Sequence, residues 1–146
     1  MEIVQQLNTG RWFMARLPHG ADLLEALTQF CATNAIRHGE VRAIGGLKRA
    51  RVGFYDQDQK VYRYLEFDEP LEIVSLVGNI SIKDGAPMVH AHVALGKADG
   101  SVVGGHLASG CIVFAGEAVI QELLPPADFV RAKDTTTGLP LWRPIS

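Results

Sequence analysis

The sequence predicts an α+β fold in a single domain, with a mainly antiparallel β-sheet flanked by one or two helices. Two observations support this prediction: one stretch of helical periodicity near the N-terminus, and a long run of alternating segments joined by short turns. Strands with short connections are antiparallel neighbours. A chain of 146 residues, 47% of them apolar and 21% charged, is typical of one globular domain with its own core.

The first predicted elements are a strand over residues 11–17 and the helix that follows it. Asp22 is the predicted N-cap, and Glu25, three residues later, completes a capping box. We expect Gly39 to end the helix in a left-handed conformation. The residues predicted to form the buried face of this helix are Leu23, Leu24, Leu27, Phe30, Cys31 and Ile36.

The chain from residue 41 to residue 123 is predicted to be β-structure, interrupted by turns such as Gly45-Gly46. The predicted strands cover residues 41–44, 49–55, 61–67, 71–82, 88–95, 102–107 and 112–123. We assign residues 1–146 to one domain with a core over about 11–123. The tail, 124–146, is apolar around Leu141 and Trp142, and we expect it to pack on the body or on a neighbouring subunit.

Three of the five histidines fall in one short region. The other two, His19 in a predicted loop and His38 in the last predicted turn of the helix, are expected to be surface residues and not ligands. His90 and His92 are two residues apart in a predicted strand, so their side chains leave the same face. The turn around Ala98 and Asp99 predicts a hairpin that returns His106 to a position opposite His92, within about one residue of register. The three imidazoles should therefore converge on one side of the sheet.

Three converging neutral imidazoles are a typical site for a divalent transition metal ion. Zinc is the first choice, although other divalent ions suit the same ligands, and the fourth position stays open to water or a ligand. A pair of histidines followed later by a third is also typical of cupins. Cupins place a glutamate shortly after the second histidine, and residues 94–98 contain none, so a cupin is the lesser choice.

Several other residues are weaker candidates for this or a second site. Glu117, in the strand after His106, is a candidate base or partner of a metal ligand. Asn79 and Ser81 are candidates for lining the same pocket. Arg49 and Arg51 are candidates for binding an anion, although a solvated strand edge explains them more simply.

Charge and hydropathy exclude some classes of function. The net charge of −2 gives no electrostatic attraction to nucleic acid or anionic membranes, and no apolar run is long enough to span a bilayer. The start of the chain lacks a signal-peptide pattern. Cys31 and Cys111 are too few for a disulfide framework and are expected to be reduced and buried. These features predict a cytoplasmic protein.

Three ordered segments resemble the PPC domain, the conserved domain of plants and prokaryotes. The segment PLEIVSLVGN, 70–79, is similar to the family's EILSLSG element, and DGSVVGGHL, 99–107, is similar to its DGxVxGGH element. The Gly-Gly-Leu of 45–47, followed by ARVGFYD at 50–56, resembles the prokaryotic branch. The resemblance covers about residues 11–123.

The resemblance implies a mainly antiparallel sheet flanked by helices, and a homotrimer. It also implies that His90, His92 and His106 correspond to the zinc-binding histidines of prokaryotic members. Plant members carry DNA-binding AT-hooks outside the domain, and this sequence has no such segment. We therefore expect weak DNA binding, or none, from the isolated chain.

Two classes of function follow from the sequence. In the first, the protein is a metal-dependent enzyme or small-molecule binder, with a ligand at the open coordination position. In the second, it is a regulatory or DNA-associated interaction module in which the metal is structural. The number of protein ligands on the metal distinguishes the two classes.

Overall fold

The fold is built around one nine-stranded sheet, seen in a computed structural model that describes residues 3–143. The elements are β1 (Asn8–Arg16), α1 (Leu23–Thr33), β2 (Gly39–Asp56), β3 (Val61–Phe67), β4 (Leu71–Lys83), β5 (Ala86–Gly96), β6 (Val102–Leu107), β7 (Ile112–Leu124), β8 (Val130–Lys133) and β9 (Pro140–Trp142). Strand pairs are antiparallel except β4 with β8. The predicted α+β class is confirmed. No helix within 3–143 is long and apolar enough to cross a membrane.

The long strand β2 organises the sheet. Its first half lies between β7 and β4, and its second half pairs with β3. Val52 and Gly53 of β2 also pair with Leu107 and His106 of β6. Because β5 joins β4 to β6, the pairings of β2, β4, β5 and β6 form a closed circuit. This circuit holds the β5–β6 hairpin against the second half of β2.

Helix α1 covers one face of the sheet. The Asp22 side chain accepts a hydrogen bond from the Glu25 amide at 3.1 Å, as an N-cap should, and also accepts one from the Gly110 amide at 2.6 Å. Leu23, Leu27 and Cys31 form the buried face of the helix. Full burial of each leucine side chain stabilises the fold by roughly 1.5–3 kcal/mol.

The predicted end of the helix is wrong. The helix ends at Thr33 with Asn34 as its C-cap, and Ala35 takes the left-handed conformation with φ 53°. Gly39 instead begins β2, where a Cβ atom would lie 2.4 Å from the Gln121 carbonyl oxygen of β7. A glycine is needed here because two strands approach closely, which a local pattern does not show.

The predicted turn at Gly45-Gly46 is also wrong. Residues 39–56 form one continuous strand, and register shifts near these glycines mark irregularities in its pairing with β4 and β7. Gly45 has φ 139°, and a Cβ there would lie 2.3 Å from the Ala115 carbonyl oxygen. The two glycines therefore bend a strand and do not end it.

The two faces of the sheet differ in how they are covered. Leu76, Ala91 and Ile120 lie on the covered face and are at most 2% exposed. On the opposite face, Met14 is 89% exposed and Val77 is 53% exposed. Large apolar side chains exposed together on one face indicate a surface that another molecule can cover.

The C-terminal segment adds two strands that the sequence analysis did not predict. β8 pairs in parallel with the end of β4, where Val130 is opposite Ile82, and β9 pairs with β8. The ring of Trp142 in β9 packs against Phe129 at a centroid distance of 4.7 Å. This arrangement places β8 beside the strand that neighbours the histidine-bearing β5.

Candidate metal centre

The three histidines lie together on the β5–β6 hairpin. His90 and His92 leave the same face of β5, and His92 is paired directly with His106 of β6. The predicted hairpin register is confirmed, and the pairing from His92 to Gly96 shows no bulge at Gly104-Gly105. One ring nitrogen from each histidine lies within 4.8 Å of the other two.

This spacing is compatible with a metal ion. Zinc in a tetrahedral site holds nitrogen ligands at about 2.0–2.1 Å, which places them about 3.3 Å from one another. The Nδ1 atom of His106 is buried and has no hydrogen-bond partner within the described chain. A buried nitrogen without a partner is costly unless it meets a proton donor or a metal ion.

The electrostatic surroundings keep two of the imidazoles neutral. Burial, assisted by the positive charge of Arg131 and by the neighbouring histidines, lowers the pKa of His90 to about 4. Burial is also the main cause that lowers the pKa of His106, with smaller contributions from His92 and Arg131. Neutral imidazole is the form that binds a metal ion, so these two histidines suit that role at neutral pH.

An aromatic wall closes one side of the cluster. The Tyr62 ring of β3 packs on the His106 ring with centroids 4.9 Å apart. Tyr62 reaches His106 across Gly53 of β2, where a Cβ would lie 2.9 Å from the tyrosine ring. The side chain of Tyr55 packs edge-on against Tyr62 at 5.0 Å. Gly53 therefore gives the tyrosine its place beside the histidine.

A buried arginine closes another side of the cluster, and the sequence analysis did not identify it. Arg131 of β8 is 8% exposed. Its Nη2 donates to the Asn79 Oδ1 at 2.7 Å and lies 3.4 Å from the His90 Nδ1, and its Nε donates to the Ser81 Oγ at 2.8 Å. The guanidinium group therefore touches one of the three histidines directly.

The chain also matches a known protein family. Residues 4–124 match the Plants and Prokaryotes Conserved (PCC) domain, the family that the sequence resemblance suggested. The chain belongs to this family. The matched range includes all three histidines and ends before β8, so it does not include Arg131.

Relatives of known structure share the whole fold of this PCC-domain chain. It is 43% identical to a metal-containing protein from Archaeoglobus fulgidus, covering 97% of this chain and 99% of that one, with a TM-score of 0.92. A plant- and prokaryote-conserved (PPC) protein from Pyrococcus horikoshii is 37% identical, with 99% of both chains covered and a TM-score of 0.91.

A curated relative is much longer than this chain. The bifunctional protein GlmU of Synechococcus sp. (strain JA-3-3Ab) is 34% identical over 137 residues, which cover 92% of this chain. The chain spans about a fifth of the length of that relative, 21%. The PCC domain therefore corresponds to a part of that longer protein.

The structure brings two of the weaker candidate residues to the histidines. Asn79 of β4 is paired with His90, and Ser81 lies two residues further along the same face. Ser81 is fully buried, and both side chains accept hydrogen bonds from Arg131. Asn79 and Ser81 therefore contact the arginine directly, and their hydrogen bonds hold Arg131 against His90.

The structure does not bring Glu117 to the cluster. Glu117 lies in β7 opposite Ile44 of β2, and strands β2 and β4 separate it from β5. At about 4.8 Å per strand spacing, this corresponds to roughly 14 Å across the sheet. The proposed role of Glu117 as a base beside the metal is therefore not supported by its position.

The arginine candidates also lie elsewhere. Arg49 and Arg51 line a surface cavity of about 300 Å³ that contains none of the histidines. The Arg51 guanidinium lies over the Tyr64 ring at 3.6 Å and pairs with Glu66 at 3.6 Å. The Arg51 guanidinium therefore has an aromatic and a carboxylate partner on the sheet surface.

The remaining histidines stay outside the cluster, as expected, but one differs from the prediction. His19 is exposed in a loop, and its Nδ1 lies 2.6 Å from the Phe114 carbonyl oxygen. His38 was expected on the surface in the last helical turn. It is instead 6% exposed, beyond the end of the helix, and its Nε2 accepts a hydrogen bond from the Phe129 amide at 3.0 Å.

Proposed function

We propose that this protein binds one divalent metal ion per chain through His90, His92 and His106, and takes a small-molecule ligand at the open coordination position. The observation that carries the proposal is the convergence of three imidazoles. The buried Nδ1 of His106, which has no hydrogen-bond partner among residues 3–143, supports it. Zinc is the proposed ion, because it accepts three nitrogen ligands and a fourth, exchangeable one. The metal-containing relative from Archaeoglobus fulgidus, 43% identical, supports this proposal.

The ligand set favours a binding or catalytic site over a closed structural one. Among residues 3–143, the group that could hold an ion consists of these three histidines, with no fourth Cys, Asp or Glu. Structural zinc sites have four protein ligands, whereas catalytic sites have three and an open position. When bound, a divalent ion supplies Lewis acidity that polarises carbonyl or phosphoryl oxygens.

The chain's own residues define what enters the open position. His92 is the exposed member of the cluster, so access is from its side. On the other sides, Tyr62 packs on His106 and Arg131 lies against His90. A ligand there would meet one aromatic ring and one positive charge.

The proposed assembly is a homotrimer, as the family resemblance implies. A surface cavity of about 680 Å³ is lined by residues from β1, β2, β4 and β7, among them Met14, Ile44 and Val77. Val77 is paired with His92, so this apolar groove borders the histidine cluster on the same face of the sheet. Contact between subunits over this groove would bury the apolar side chains and narrow access to His92.

The proposed compartment is the cytoplasm. Cys31 and Cys111 are both free and fully buried. Burial raises the pKa of the Cys31 thiol to about 11, so it stays protonated and unreactive. Two unpaired thiols used as core residues fit a reducing environment.

Metal analysis of the purified protein tests the proposal. Protein prepared without chelator, or reloaded with zinc, should contain about one ion per chain. His92→Ala should lose the ion, and His19→Ala is the matched control because it also removes an exposed histidine. His38→Ala is unsuitable as a control because His38 is buried. Wild-type protein that takes up no zinc would refute the site.

A further inference from the structure

Arg131 differs from the other arginines in its surroundings. Arg11, Arg42 and Arg51 are paired with carboxylates at 2.7, 3.2 and 3.6 Å. Arg131 forms no ion pair within the described chain, although it is the most buried arginine of those named here. Its acceptors are all neutral: Ser81, Asn79, His90 and the Pro140 carbonyl oxygen at 3.0 Å. A buried charge without a counter-charge is costly.

A bound metal ion would change one of these contacts. An imidazole that coordinates a metal through one ring nitrogen carries its hydrogen on the other. The Nδ1 of His90 would then either hold the metal or carry a hydrogen, and in neither state can it accept the Arg131 Nη2 hydrogen. The present distance between these two atoms is 3.4 Å. A metal ion at the triad would thus leave one buried N–H of Arg131 without an acceptor.

The ion would also add positive charge beside the guanidinium. A divalent cation held by neutral imidazoles keeps both of its charges. Within residues 3–143, no carboxylate joins the histidine cluster or pairs with Arg131. An anion placed between the metal ion and Arg131 would meet both requirements, because it supplies negative charge and accepts the freed N–H.

We propose that the site binds a small oxyanion, a carboxylate or a phosphate group, which shares its oxygens between the metal ion and the Arg131 guanidinium. This inference rests on the proposed metal site and names the chemistry of its ligand. An oxyanion is favoured over a simple halide because the planar guanidinium would then have two N–H groups for two oxygens, one on Nη1 and the one freed from His90 on Nη2. Arg131 acts as the residue that selects the charge of the ligand.

The surroundings of Arg131 hold the guanidinium in this place. Asn79 and Ser81 fix it from β4, and the Pro140 carbonyl fixes it from β9. The Trp142 ring lies 5.4 Å from the guanidinium carbon. Because the group is held by two strands, β4 and β9, little side-chain entropy is lost when the anion binds.

Anion binding to cobalt-loaded protein tests the inference. Cobalt(II) replaces zinc so that its visible absorption bands report ligands at the open position, and the probes are acetate and inorganic phosphate in separate titrations. We expect at least one probe to change the bands. Arg131→Lys, which keeps the charge but loses the planar fork, should weaken that probe about tenfold while cobalt stays bound. Arg63→Lys is the matched control, because Arg63 is an exposed arginine of β3 paired with Asp56.

Each outcome separates the two proposals. Wild-type protein that holds no metal refutes the proposed function together with this inference. Protein that holds cobalt but responds to neither probe refutes the inference alone, and so does an Arg131→Lys variant with unchanged anion affinity. If that variant fails to fold or to hold cobalt, the wild-type protein decides. The NMR signals of the Arg131 guanidinium in zinc-loaded protein must then shift with the probe, and unchanged signals refute the inference.

Discussion

The proposed metal site should appear as a large zinc-dependent gain in thermal stability that a single exposed residue controls. A ligand that binds only the folded state, at a free concentration one hundred times its Kd, stabilises that state by about 2.7 kcal/mol. For 146 residues, the entropy of unfolding near 60 °C is about 0.3 kcal/mol/K, so the expected rise in Tm is about 9 °C. Wild-type protein should show this rise when chelator is replaced by buffered free zinc.

The His92→Ala variant separates the effect of the metal ion on Tm from the stability of the metal-free fold. His92 is exposed, so its loss should change the metal-free Tm by no more than about 2 °C, as for an ordinary surface substitution. The zinc-dependent rise should disappear in this variant and remain in His19→Ala. The measurement is differential scanning calorimetry with and without free zinc. A His92→Ala variant that gains as much Tm from zinc as wild type would refute the assignment of His92 as a ligand.

Three further predictions concern pH, assembly and DNA. Burial lowers the pKa of His38 below 6.5. The His38 imidazole therefore binds a proton less readily in the folded state than in the unfolded chain. Its contribution to stability should be lost as pH falls below 6.5. The difference in unfolding free energy between wild type and His38→Gln in chelator should therefore shrink toward acid pH, and a constant difference would contradict this. Light scattering should give a trimer mass, and Met14→Glu should lower it by placing a charge on the apolar groove; a wild-type monomer would contradict the assembly. Duplex DNA should bind weakly and lose all binding near physiological salt, because the net charge is −2; salt-resistant, sequence-selective binding in an anisotropy titration would contradict this.

The histidine cluster could be predicted because its geometry depends on local rules. Strand alternation places His90 and His92 on one face, and a short hairpin fixes the partner of His92 within about one residue. The register in the structure pairs His92 with His106. Both rules act over fewer than about twenty residues, so no knowledge of distant contacts is needed.

The errors arose where distant strands determine the local structure. The sequence predicts a helix cap at Gly39 and a turn at Gly45, the commonest local uses of glycine. Both are required by close approach to the backbone of β7, at Gln121 and Ala115 respectively. The predicted surface position of His38 is wrong because its burial depends on the segment at Phe129, which is 91 residues away in the sequence and invisible to a local pattern.

Arg131 lay beyond prediction for the same reason. Its partners Asn79 and His90 are 52 and 41 residues earlier in the chain. The strand that carries Arg131 has four residues and no distinctive alternation. A single arginine in such a segment is usually an exposed charge, and only the parallel pairing of β8 with β4 turns it toward the histidines.

The positions of these residues relative to the matched PCC range indicate a division of roles within the proposed site. The three histidines lie inside residues 4–124, the range that matches the PCC domain, whereas Arg131 lies beyond it in β8. In the proposed site, the matched range supplies the three imidazoles for an ion, and the segment after residue 124 adds the charge that is proposed to select a ligand. Arg131 reaches the site through Asn79 and Ser81, which belong to the matched range. Changes confined to β8 should then alter ligand preference while leaving the metal ligands in place, which is why Arg131→Lys distinguishes the two functions of the site.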